Sequence, residues 1–511
     1  MSSHTLAAFP PELLAAKKQI REQARSYGLD FFNVIYEMCD YEQMNQIAAY
    51  GGFPQRYPHW RFGMEYERLR KQHFYGLGRI YEMVINNDPC YAYLQESNAL
   101  IDQKLVIAHV YGHSDFFKNN YWFSKTNRKM MDEMANHSTR FRKHIEKHGY
   151  DVVEKFADVC LSLEHLIDPY SMFMNRGPID TAHVEAHREL PHVTRYQAKD
   201  YMDRWINPRQ ALEAEAKKNR DTAAKKRHNT PARATRDVLL YLLQHARLED
   251  WQIDILSIVR EESYYFAPQG MTKVMNEGWA TYWHSTLMTR HFVEAKEIID
   301  YADHHSGTVH MPPGGFNPYK IGVELFRDIE DRWNKGKFGK EYEEADNLGQ
   351  KKKWDKGLGL GRDKIFEVRR VYNDVNFIDE FMTPEFIEKH KFYQYGRDPH
   401  TGQLRILSRD PERIKQTLLY QLTNMGQPFI YVVDGNYANR GELYIAHQHN
   451  GPDIEIKYAV ETLKNLHKLW HRPVHLQAQI DDEMILFTYD GHQPKQQTIH
   501  DDLPPPAHQV M

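Results

Sequence analysis

Two histidines, His109 and His113, stand four residues apart in "LVIAHVYGHSDFF". On a helix that spacing puts both imidazoles on one face, within reach of a single ion. Gly112 between them leaves room for a neighbouring element to come close. A second segment, "VMNEGWATYWHSTLM" at 274–288, sets Glu277 and His284 seven residues apart. At about 3.6 residues per turn the two align within about 20° of each other, two turns apart. Thr281 shares that face, whereas Trp279 and Trp283 point elsewhere. Burying an acid and a histidine unpaired on so apolar a helix is costly, so they either share an ion or bond to their surroundings. Ligands drawn from His109, His113 and Glu277 suit zinc with an open position for water. His284 is then a fourth ligand or a partner of one.

The order "HVYGH" then "NEGWA" is similar to the HExxH and NEGFA elements of gluzincin-type zinc aminopeptidases. A third stretch, "GGFNPYKIGVELFRDI" at 314–329, resembles the tyrosine-bearing segment of helical metallocarboxypeptidases. That resemblance implies that Tyr319 faces the cleft and helps bind substrate. The departure is Val110, which stands where those enzymes carry the glutamate that activates water. Asp115, Glu261 and Glu262 are candidate substitutes, as are Glu164 and Asp168, with Glu262 close before the NEGWA helix. Were two such carboxylates to join the histidines, the site would resemble a helical di-iron centre, with Fe in place of Zn. The structural alternative for the glutamates is ion pairing on helix surfaces. Lys118, Asn119 and Asn120 in "SDFFKNNYWF" read either as a substrate-facing wall or as a helix end with its caps. Arg260 would hold a substrate carboxylate or pair with Glu261 or Glu262. His304, His305 and His310 lie in "YADHHSGTVHMPPGG", a loop that either closes over the site or is plain surface.

These residues need rigid elements beneath them. From about residue 10 to 390 the pattern is helical: "PELLAAKKQIREQARSYGL" opens with proline and ends at Gly28. "GMEYERLRKQHFYGLGRIYEMVINN" and "GYDVVEKFADVCLSLEHLI" repeat apolar residues at helical spacing, and strand signals are nearly absent. A mainly α domain of zincin-like helical architecture is therefore expected over 1–395. Polar stretches interrupt it at 213–236 and 335–364, read as solvated insertions, the first alternatively as a basic lid. Gly357, Gly359 and Gly361 do not make a phosphate loop, because no strand precedes them and no GKS/T follows. Over 396–490 the order β-α-β-β-α-β, from "QLRILS" to "MILFTYDG", predicts a small ferredoxin-like α/β domain. Residues 491–511, ending "DDLPPPAHQVM", read as a disordered tail.

Bulk properties narrow the partners. A net charge of −4 over 511 residues gives no field to recruit nucleic acid or anionic lipid. No apolar run reaches the roughly 18 residues needed to span a membrane. The first residues lack the basic start and apolar run of a cleaved signal peptide. Three cysteines far apart in sequence make no zinc knuckle and suit a reducing compartment, so a cytoplasmic location is expected.

"YPHWRFG" (57–63), "AHVYGHSDFFKNN" (108–120), "VMNEGWATYWH" (274–284) and "NPYKIG" (317–322) together resemble the stage V sporulation protein R family, over nearly the full length. The resemblance implies a bacterial cytoplasmic protein linked, in endospore formers, to assembly of the peptidoglycan cortex of the spore. Relatives also occur in bacteria that never sporulate. Three functions compete. The first is a zinc-dependent hydrolase acting on an amide in a peptide or peptidoglycan precursor. The second is a metal-stabilised scaffold or regulator whose C-terminal domain binds a protein partner. The third is a di-iron oxidoreductase.

Overall fold

A computed structural model describes residues 9–74, 82–174, 208, 212, 214, 234–345, 347–398 and 401–499. Most of the 213–236 stretch and the end of the tail lie outside them. The chain forms two compact units, each built from two segments. The first comprises Met1–Lys147 and Tyr265–Gly426, the second His148–Tyr264 and Gln427–Met511.

In chain order the first segment of the first unit holds α1 (Pro11–Ser26), β1 (Val34–Cys39), α2 (Tyr41–Ala49), α3 (Trp60–Phe74), β2 (Glu82–Ile85), β3 (Cys90–Gln95) and α4 (Leu100–Asn119). Pro11 opens α1, and Asp40 caps α2 in a reciprocal box with Gln43. The stretch expected to be helical throughout is not: α3 ends at Phe74, and Glu82–Ile85 pairs antiparallel with β3. With β1 parallel to β3, this makes a three-stranded sheet in the order β1-β3-β2. Strands this short carry too few residues to show their period, and their partners are distant in sequence.

α4 is the central helix, buried almost without break from Leu105 to Phe117. Such a helix shows little amphipathic pattern because every face meets protein. Further along come α5 (Met130–His148), α6 (Tyr150–Ser162), α7 (Val238–His245), α8 (Asp250–Met271), α9 (Lys273–Leu287), α10 (Ile298–Val309) and α11 (Pro318–Lys335). α9 packs between α4 and α11, and glycine makes both crossings close. A Cβ on Gly112 would lie 2.7 Å from Ala280 Cα, and one on Gly278 would run into the backbone of Gly322. Asp374 accepts from the amides of Val274 and Met275 at 2.8 and 2.9 Å and so caps α9. Asn317 and Pro318 begin α11, and Gly336 in the left-handed region ends it. The 335–364 stretch is not a bare insertion. It carries short helices at Lys340–Glu343 and Leu348–Lys352, and Asn334 accepts from the Gly361 amide at 2.9 Å.

The ferredoxin-like expectation fails on topology. "QLRILS" lies in β5 (Leu404–Ser408), which pairs with β4 (Gln394–Arg397) in a separate hairpin. The helix that follows, Pro411–Leu422, belongs to the first unit. The second unit holds five strands: β6 (Phe429–Tyr437), β7 (Glu442–Gln448), β8 (Val474–Ile480), β9 (Glu483–Tyr489) and β10 (Pro494–Thr498). They lie in the sequential order β10-β9-β8-β7-β6 rather than interleaved. Only the β7–β8 pair is parallel, joined through the helix Ile456–Trp470. β10 falls in the expected tail; its residues are all exposed, so no apolar alternation marked it as a strand.

Candidate metal centre

α4 presents His109 and His113 one turn apart, with ring centroids 4.6 Å from each other. The first turns of α9 bring up Glu277, whose Oε2 lies 3.5 Å from His109 Nε2 and 3.4 Å from His113 Nε2. Glu82, at the start of β2, adds a second carboxylate. Its Oε1 is 3.5 Å from His109 Nε2 and 3.9 Å from His113 Nε2. Donor atoms of Glu82, His109 and His113 all lie within 4.8 Å of one another, a span that one metal ion can bridge. Three of the four side chains are buried, His109 5% exposed, His113 4% and Glu277 5%, while the Glu82 side chain keeps 17% of its surface open.

The outward nitrogens are also engaged. His113 Nδ1 meets Asn276 Oδ1 at 2.9 Å, and His109 Nδ1 meets His284 Nδ1 at 2.8 Å. His284 Nε2 continues to His305 Nδ1 at 3.1 Å. His284 therefore turns its nitrogens to two histidines. Lys273 donates to Glu277 Oε1 at 2.6 Å. Tyr319 stacks on His109, with centroids 6.0 Å apart and planes inclined by 19°.

Burial and charge split the groups. Burial pushes the Glu82 carboxyl up to about 8, against the pull of His113. Burial would raise Glu277 as well, but the two imidazoles 3.4 and 3.5 Å from its Oε2 and the Lys273 charge hold it well below the carboxylate range. Burial works against the charged form of His113, yet the Glu277 carboxylate 3.4 Å away carries it above the usual histidine value. Burial, then the His113 charge, lowers His109 to about 4. Without an ion the cluster is thus a His113–Glu277 ion pair beside a neutral His109 and a protonated Glu82. Glu82 Oε2 and Glu277 Oε2 remain buried with no hydrogen-bond partner among the described residues. Orphaned buried acceptors facing two imidazoles are the signature of an ion's place, so the residues fit a divalent metal.

The other sequence candidates fall elsewhere. Asp115 accepts from the Asp30 amide and Trp279 Nε1, both at 2.8 Å, and lies 3.3 Å from Arg369 Nε; it ties α4 to its surroundings. Asn119 spends its amide on the carbonyls of Asp30 and Asp115 at 2.7 and 2.8 Å, so the helix-end reading holds and the substrate-wall reading does not. Asn120 caps the following turn through Trp122. Glu262 is buried on α8 in the second unit and is not part of the first unit's cluster. Glu164, Asp168 and Glu261 belong to that unit too. Arg260 there pairs with Asp237 at 2.6 Å. His304 bonds Asp102 at 2.8 Å, and His310 is exposed. Sequence reasoning missed Glu82, Lys273 and Asn276. Asn276 and Lys273 sit within four residues of Glu277 and were open to a helical reading. Glu82 was not, since only the strand pairing carries it to the histidines.

Residues 9–427 match the family described as SpoVR like protein, and 428–481 match the SpoVR-like C-terminal domain. The chain belongs to the SpoVR family. It is 31% identical over 499 residues to YcgB of Escherichia coli (strain K12), described as an uncharacterized protein, covering 91% of this chain and 92% of that one. No solved structure matches. The likeness to gluzincin peptidases rests on the motif residues alone. Among the described residues no helix is long and apolar enough to cross a membrane.

Proposed function

We propose that the first unit holds one zinc ion through His109, His113 and Glu277 and hydrolyses an amide bond in a peptide or peptidoglycan precursor, in the service of spore-cortex formation. The observation that carries the reading is the convergence of both Nε2 atoms on the orphaned Glu277 Oε2. Two imidazoles and one carboxylate are the donor set of catalytic zinc sites; non-haem iron also accepts it. When bound, the metal supplies Lewis acidity to the substrate carbonyl.

Glu82 takes the part that Val110 cannot. Beside a cation its carboxyl ionises, and the free Oε2 accepts the proton of the attacking water and returns it to the leaving amine. Tyr319, stacked on His109, presents its hydroxyl where the carbonyl oxygen gains charge.

Metal analysis of the purified full-length chain tests this. One zinc per chain is expected, lost in H113A and in E277A. A chain that takes up no metal overturns the proposal, and iron in its place moves it to oxidative chemistry. E82Q is expected to keep the zinc and lose hydrolysis across a panel of peptide and peptidoglycan amides. A scaffold role is the second reading, favoured by the burial of His109, His113 and Glu277, each at most 5% exposed. An E277Q variant that folds and fully supports cortex formation would decide for it.

A further inference from the structure

Of the two histidines on α4, His113 leans on an amide carbonyl, while His109 leans on a chain of imidazoles. We infer that His284 and His305 are positioning residues of the metal centre, a relay that fixes the ring of His109 in the one tautomer that leaves its Nε2 open to the ion. This rests on the zinc reading of His109 above.

The logic is one of donors and acceptors. A neutral imidazole has one of each. If Nε2 of His109 faces a metal, its proton sits on Nδ1 and is donated to His284 Nδ1 across 2.8 Å. His284 Nδ1 is then the acceptor, so its own proton sits on Nε2 and is donated to His305 Nδ1 across 3.1 Å. His305 ends with its proton on Nε2. One choice at the metal sets all three rings. A carboxylate or carbonyl would satisfy His109 with a single bond, as Asn276 does for His113. An imidazole at 284 instead hands the direction on to α10, a helix on which Tyr301 alone is buried. His284 itself is 1% exposed, and at that depth either wrong tautomer in the chain would leave two donors, or two acceptors, face to face. His305 also stacks on Tyr301, with centroids 5.8 Å apart and planes inclined by 8°, which holds its ring plane.

Zinc affinity of the full-length chain, read by competition with a chromogenic chelator, tests the relay. H284F keeps a ring but breaks both bonds, and its affinity is expected to fall roughly 10- to 100-fold. H284N keeps an acceptor for His109 and is expected to lose only a few-fold, since Asn276 already performs that task for His113. H305F, at a half-buried position that tolerates change, is expected to fall between them. Cobalt in place of zinc gives a second readout, with a shifted visible band in H284F and a wild-type band in H284N. Equal affinities for H284F and wild type overturn the relay, as does H284N binding no better than H284F, which would mark a packing role. A wild-type chain that takes up no zinc overturns the underlying reading instead, so the two failures are separable. Thermal melting of the metal-free variants shows whether each has folded.

Discussion

Glu82 and Glu277 face the same pair of imidazoles and hold opposite charge states. Glu277 has Lys273 and both histidines to offset its burial, whereas for Glu82 burial outweighs the charges of His113 and Lys273, and the Glu277 charge adds to it. The Glu82 value is raised from 4.5 to about 8. Its contribution to the stability of the metal-free chain is therefore complete below pH 4.5 and is lost as pH rises through about 8. A cation must displace that proton and the one on His113. Apparent zinc affinity should thus climb with pH up to about 8 and flatten above it, with a shallower climb in E82Q. Calorimetry in buffers of different ionisation enthalpy counts the protons released, and equal counts for wild type and E82Q would remove Glu82 from the site. At this scale the histidines and Glu277 were legible because a ligand pair one helical turn apart is written locally. Glu82 was hidden because its place depends on which strand pairs with which.

Helices α4, α9 and α11 come closest at glycines, with Trp279 of α9 bonded to Asp115 of α4 and packed on Phe326 of α11. Glu277 on α9 owes its distance from α4 to Gly112 against Ala280, and α9 itself is pressed onto α11 at Gly278 and Gly322. A methyl at 278 would force α9 and α11 apart. Glycine-to-alanine at 278 should lower stability by about 1–3 kcal/mol, as overpacking does. It should also weaken zinc binding more than a destabilising change remote from these crossings. Melting temperature and chelator competition, measured on the same samples, check both halves. Several helices were readable from apolar spacing, and α1 also from its opening proline and Gly28. The three-stranded sheet was not, and "YEMVINN" was taken for the end of a helix because four residues of strand show no distinct period.

The second unit joins residues from the middle of the chain to those at its end. Thr235 bridges Val432 with paired backbone bonds, Arg236 lies over the Phe429 ring at 4.5 Å, and Trp470 stacks on Tyr241. The family matches change over at residues 427 and 428, where the second segment of this unit begins. A chain ended after Gly426 therefore keeps every ligand of the metal centre but strips 148–264 of its sheet. Limited proteolysis of that truncation should cut within 148–264 while zinc content stays at the full-length value. Protection of that stretch, or loss of the metal, would mean that the units are not independent in this way. The expected split near residue 395 placed the helix Pro411–Leu422 with the sheet that follows it. Sequence order suggested that grouping, but the helix packs in the first unit.

Val110 sits one residue from a ligand, fully buried among apolar side chains of the core. In evolutionary terms it is a closed door. A glutamate placed there would drive an unpaired carboxylate into a dry interior, and the variant would lose its fold before it gained a base. This core offers no single-step route to an HExxH arrangement. Any hydrolysis the chain performs must have been assembled around an acid from another element.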